Sequence, residues 1–149
     1  MRILAIDPGT KLGWAISREA SGTEDLAPRS NQGAGMRVLK MQAFLRRIKD
    51  AGLPELIVYE HVRRHQGTQA AHVYGALEGT LLAWAEENDI PCEAVPVGTI
   101  KKFATGKGNA GKPAMIEAAQ QFYPGIEIVD DNHADALCLL HWATEEYES

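Results

Sequence analysis

The sequence predicts an α/β domain in which a mixed sheet carries helices on both faces. Three observations lead there. Short apolar runs, Ile3-Leu4-Ala5-Ile6 and Leu56-Ile57-Val58-Tyr59, have the length and continuity of buried strands. Stretches with helical periodicity alternate with them. Gly and Pro fall between the two kinds of segment, where a chain must turn.

The elements follow in order. Arg2 to Ile6 reads as a buried strand ending at Asp7, and Pro8-Gly9-Thr10 is turn chemistry. Gly13 to Ser17 restarts an extended run, so a β-hairpin is expected. Residues 19–35 are polar and rich in Gly, Ser and Pro, a loop that includes a third strand. Val38, Met41, Leu45 and Ile48 recur at helical spacing, and Gly52 and Pro54 close that helix. Leu56 to Tyr59 gives a strand ending at Glu60. A long helix from about Thr68 to Asn88 follows, carrying Ala70, Ala71, Gly75, Ala76 and Gly79 as small contact residues. Ile90 to Val97 is a further strand. A Lys- and Gly-rich segment leads into a helix over Pro113 to Tyr123, with proline in its first turn. Ile126 to Val129 reads as a short extended piece. The last helix starts near Asp131 or Asn132, either a suitable N-cap, and runs to about Tyr147.

With 45% apolar and 23% charged residues, the chain has the composition of a globular domain. No apolar run is long enough to span a bilayer, and Asp7 interrupts the N-terminal apolar stretch too early for a signal peptide. Cys92 and Cys138 lack metal-site spacing and read as reduced cytosolic thiols. The net charge of −5 argues at first against a nucleic-acid partner. Its distribution argues otherwise. Residues 117–149 hold eight acids and no Lys or Arg, which leaves 12 acids against 15 bases in residues 1–116. The bases gather at Arg46-Arg47-Lys49, at Arg63-Arg64-His65, and at Lys101, Lys102, Lys107 and Lys112, the last group interleaved with Gly106, Gly108 and Gly111. Phosphate binding responds to the local field rather than to the total.

The acids at strand ends carry the chemistry. Asp7 and Glu60 close two buried strands, and Asp131 and Asp135 lie four apart, on one face of the last helix. Carboxylates brought together repel unless a cation neutralises them. Oxygen ligands suit Mg²⁺ or Mn²⁺ rather than Zn²⁺.

These segments resemble the RuvC-type Holliday junction resolvases, a phage-like subgroup of them, within the RNase H-like (retroviral integrase) superfamily. The resemblance rests on Ile3-Leu4-Ala5-Ile6-Asp7-Pro8-Gly9-Thr10 with Gly13-Trp14-Ala15, on Ile57-Val58-Tyr59-Glu60, on Ile100 to Lys112, and on His133-Ala134-Asp135-Ala136-Leu137. It implies one RNase H-like nuclease domain over residues 1–149, with a mixed five-stranded sheet flanked by helices. It also implies that Asp7, Glu60 and Asp135 are catalytic metal ligands and that Lys101 and Lys112 contact DNA, Lys112 also serving catalysis. The family commonly places an Asp or His three residues before the last Asp. Here that position is Asn132, so Asp131 is the preferred fourth ligand, with Asn132 or His133 as alternatives. After Glu60, where the family often has an aromatic, stand His61-Val62-Arg63-Arg64-His65, and Arg63 and Arg64 become phosphate- or base-contacting residues.

The resulting expectation is a crossover junction endodeoxyribonuclease that uses two Mg²⁺ ions per site, replaceable by Mn²⁺, to cut phosphodiesters in four-way or other branched DNA. Lys101, Lys102, Lys107 and Lys112 would track phosphates. A homodimer is implied, as is a bacterial or phage-infected host cytoplasm. The apolar stripe Val73, Leu77, Leu81 and Trp84 belongs either to the dimer interface or to the core. The competing readings are an RNase H-like enzyme of the YqgF type acting on RNA and a catalytically inactive DNA-binding module. An actin-like phosphate loop at Asp7-Pro8-Gly9-Thr10 would need two such domains, for which 149 residues are too few.

Overall fold

The first strand, β1 (Ile3–Asp7), occupies the middle of the sheet, and its composition explains why. Ile3, Leu4, Ala5 and Ile6 are all fully buried, because a strand covered on both faces has no polar side to alternate with. Ile3 and Ala5 point to one apolar cluster, Leu4 and Ile6 to the other. A computed structural model describes residues 1–148. Strands β2 (Lys11–Ile16) and β3 (Ala20–Asp25) extend the sheet on one side as an antiparallel meander. On the other side β4 (Leu56–His61) and β5 (Cys92–Pro96) run parallel to β1, giving the order β3-β2-β1-β4-β5.

Helices α1 (Gly35–Ala51) and α2 (Thr68–Glu87) cover one face, burying Met41, Phe44, Leu45 and Ile48 against Leu77, Leu81 and Ala85. The other face carries α3 (Val97–Thr105), α4 (Lys112–Phe122) and α5 (Asp131–Glu148). Helix α5 supplies eight buried residues, from His133 to Ala143, and lies across β1 and β2. Among the described residues, no helix is long and apolar enough to cross a membrane.

The expected mixed five-stranded sheet with helices on both faces is present. Three details differ from the sequence reading, and one alternative it left open, core or interface for the α2 stripe, resolves to core. The Lys- and Gly-rich segment begins as helix α3, which buries Ile100 and ends at Gly106 with a left-handed φ of 85°. Residues 126–129 form no strand: Ile126 N–H closes a turn to Tyr123, and Val129 N–H donates to His133 Nδ1 at 3.1 Å. The N-cap of α5 is Asp130, whose Oδ1 accepts His133 N–H at 2.8 Å. The stripe of Val73, Leu77, Leu81 and Trp84 packs into the core, leaving Ala76, Gly79, Leu82 and Ala83 on the outer side of α2.

Candidate active site

Parallel pairing of β1 with β4 brings the ends of the two strands to one sheet edge, where Ile6 lies opposite Tyr59. Asp7 and Glu60 follow directly, at the carboxyl end where crevices form in such sheets. The first turns of α5 add Asp135. One carboxylate oxygen from each of Asp7, Glu60 and Asp135 lies within 4.8 Å of the others. No other group of His, Cys, Asp or Glu among the described residues comes together in this way.

The electrostatics report the crowding. Burial, then the neighbouring Glu60 carboxylate, pushes the Asp7 carboxyl well above the usual range, with Asp135 and Asp131 adding to the effect. Asp135 is pushed up to about 7, first by burial and then by Glu60 and Asp131, while Lys101 and Lys112 pull it down. Such a cluster favours either a shared proton or a hard cation. Its all-oxygen donor set fits Mg²⁺ or Mn²⁺.

Asp131 lies at the rim. It adds its charge to both Asp7 and Asp135 and meets Lys112 Nζ at 3.6 Å, but it is not one of the three converging residues. His133 has another occupation. Its Nδ1 accepts Val129 N–H, its Nε2 pairs with Ser21 Oγ at 2.8 Å, and the ring is buried. Both ring nitrogens are therefore engaged, and burial lowers its pKa. The side chain of Asn132 makes no hydrogen bond among the described residues, though its backbone lies against β2.

Two lysines bear on the acids. Lys101 on α3 and Lys112 at the start of α4 act electrostatically on Asp135, and Lys102 and Lys107 are exposed in the same Lys- and Gly-rich stretch. Thr105 Oγ1 donates to Lys101 O at 2.8 Å and accepts Lys107 N–H at 3.2 Å, tying the turn between α3 and Lys107. Gly106 serves to cap α3, and the backbone of Gly108 runs beside that of Gly98. Arg63 and Arg64 are exposed in the loop after β4 and enter no ion pair among the described residues.

Several contributors escaped the sequence reading. Tyr74 Oη donates to Glu60 O at 3.0 Å and accepts Val62 N–H at 3.3 Å, while Tyr59 Oη donates to Glu78 at 2.8 Å. These bonds hold the strand end that carries Glu60. A tyrosine inside an apolar helix gives no signal of this from its spacing, because it looks like any core aromatic.

No protein-family profile matches the sequence. The chain is similar to crossover junction endodeoxyribonuclease RuvC of Wolbachia sp. subsp. Brugia malayi, 24% identical, over 93% of this chain and 90% of that one. It is likewise similar to crossover junction endodeoxyribonuclease RuvC of Chlamydia muridarum, 27% identical, over 95% and 92% of the two chains. Among solved structures, Thermus thermophilus RuvC in complex with Holliday junction substrate superposes with a TM-score of 0.80 over 98% of this chain and 96% of that one, at 22% identity. The chain has the RuvC fold. The resemblance to RuvC read from the motifs thus extends through every element, and the three converging carboxylates lie in three of the segments that carried it.

Proposed function

We propose that the protein is a metal-dependent crossover junction endodeoxyribonuclease that acts on four-way or other branched DNA. The observation that supports this most directly is the convergence of Asp7, Glu60 and Asp135 within 4.8 Å in a chain of RuvC fold. Asp7, Glu60 and Asp135 hold divalent cations, with Asp131 completing the set from the rim. Held there, two Mg²⁺ ions would supply an activated water and neutralisation of charge on the leaving oxygen.

The protein's own groups do the remainder. Asp7 and Glu60 are fixed on adjacent strands, so the reacting phosphate meets ligands that need no reorganisation. Lys112 and Lys101 place positive charge beside Asp135, where the oxygens of the five-coordinate phosphoryl transition state gain negative charge. Lys102, Lys107, Arg63 and Arg64 hold flanking phosphates, positioning the strand without reading its sequence. A homodimer suits the substrate, because a four-way junction offers two symmetric strands to nick. The protein works in the cytoplasm of a bacterial or phage-infected cell.

The test is cleavage of a labelled four-way junction in Mg²⁺, beside a linear duplex and an RNA–DNA hybrid. Paired nicks in the junction are expected, absent with EDTA and absent in Asp7→Asn. Failure to cut any of the three at micromolar protein overturns the nuclease reading and leaves the DNA-binding module. Preference for the hybrid turns the assignment to an RNA nuclease.

A further inference from the structure

We infer that Gly13 is a positioning residue, the floor of a seat on the β2–β3 hairpin that sets how far the acidic helix stands from Asp7. The inference rests on the metal-nuclease reading of the site, and deepens it by naming what fixes the spacing of the carboxylates.

Gly13 lies directly across from Asp7 in the β1–β2 ladder. A Cβ built on Gly13 would fall 2.0 Å from the Asn132 carbonyl oxygen and 2.6 Å from its carbonyl carbon. The obstacle is backbone, inside the first turn of α5, so no rotamer change relieves it. Gly13 does not have a left-handed φ, and the requirement for glycine is therefore one of space alone. The same hairpin also holds that turn by hydrogen bonds. Thr23, opposite Gly13 in the β2–β3 register, donates Oγ1 to Asp130 Oδ1 at 3.0 Å. Ser21, two residues before Thr23, meets His133 Nε2 at 2.8 Å. The helix start is thus pulled onto the hairpin at Asp130 and His133 and stopped by the hairpin backbone at Asn132.

Asn132 and Asp135 share one rigid helix. Any methyl group on Gly13 must push that helix back by more than about 1 Å before ordinary contact distances return, and a misplacement of about 1 Å can cost about 10²-fold in rate. The displaced helix takes Asp135 away from Asp7 and Glu60, which stay on the sheet. The expected loss is therefore in metal binding and turnover rather than in grip on DNA.

Gly22 provides a matched control. It lies on the same hairpin, and a Cβ there would meet only the Trp14 ring at 3.6 Å, an ordinary contact. The experiment compares wild type, Gly13→Ala and Gly22→Ala by Mn²⁺ binding to the DNA-free protein, followed by electron paramagnetic resonance. Junction affinity, junction turnover and far-ultraviolet circular dichroism are measured beside it. Gly13→Ala is expected to bind Mn²⁺ about tenfold more weakly and to turn over about 10²-fold more slowly, with partial rescue at high Mn²⁺ and unchanged junction affinity. Gly22→Ala should match wild type. Wild-type Mn²⁺ binding and turnover in Gly13→Ala, or equal losses in Gly22→Ala, overturn the inference. If Gly13→Ala does not fold, Thr23→Val decides: weaker Mn²⁺ binding upholds the seat and unchanged binding overturns it. A wild-type protein that binds Mn²⁺ but cuts no nucleic acid defeats the nuclease reading alone, since the Gly13→Ala deficit in Mn²⁺ binding still upholds the seat. A wild type that binds no Mn²⁺ defeats both.

Discussion

Lys112 Nζ stands 3.6 Å from Asp131 Oδ2, so the lysine-rich stretch and the acidic helix meet in a charge pair at the rim of the carboxylate cluster. Lys112 is largely exposed, and such pairs add little to stability. Its electrostatic effect reaches further, because it is one of the two lysines that hold Asp135 down.

Replacing Lys112 by Met should therefore leave the melting temperature almost unchanged while raising Asp135 further above about 7. Carboxyl-carbon NMR titration of the metal-free protein would register the shift. In a junction-cleavage pH profile the acid limb should move to higher pH, with turnover reduced on the order of 10². An unmoved limb would remove Lys112 from the site.

Metal-free stability should fall as pH rises. Asp135 titrates near about 7 in the folded protein and, once unfolded, near about 4. Between those values the folded state holds more protons than the unfolded one, so stability is full below about pH 4 and is lost as pH rises through about 7. Asp7, raised for the same reasons, adds to the slope. Thermal melts from pH 4 to 8 should show the decline, and Mg²⁺ should reverse it at the alkaline end. Asp7→Asn should flatten the profile and lower cleavage on the order of 10³-fold, equivalent to about 4 kcal/mol of transition-state stabilisation.

The three residues at the start of α5 should separate by the kind of defect each produces. Asp131→Ala should cost cleavage and leave the melting temperature near wild type. His133→Ala orphans Val129 N–H and Ser21 and should destabilise by about 2–3 kcal/mol in urea unfolding. The side chain of Asn132 can be cut to Ala with little effect on either. Full activity in Asp131→Ala would exclude it from the ligand set.

Arg63→Ala and Arg64→Ala should weaken junction binding without altering turnover at saturating DNA. Removing one phosphate-binding arginine should reduce the slope of log affinity against log salt by about 1. An unchanged slope would mean that these arginines are merely solvated.

Strands ending at acids were the most legible part of this chain. A strand buried on both faces must be continuously apolar, so the polarity change at Asp7 and at Glu60 marks where the buried run gives way to the converging carboxylates. Helix α3 was obscured because it spans only nine residues and includes Gly98 and two lysines, with a single buried anchor, Ile100. Asp130 and Asp131 are adjacent and both suit a helix start. Only the bond from His133 N–H to Asp130 Oδ1 shows that the first serves as cap, while the second bears on the cluster. The hairpin seat involves Ser21 and Thr23 in a strand of ordinary polar composition, where pairwise contacts far apart in sequence leave no periodic trace.

The core position of α5 has a consequence for how such a protein can change. Ala134, Ala136, Leu137, Cys138, Leu139 and Leu140 knit the acidic helix into the middle of the protein, whereas Arg63, Arg64, Lys107 and Gly108 stand on surface loops with no core role. Under the proposed function, chemistry and recognition are thus carried by parts under opposite mutational constraint. The loops can be exchanged to grip a different branch geometry with the cutting apparatus left intact, while nearly any change in volume along the helix alters the apparatus itself.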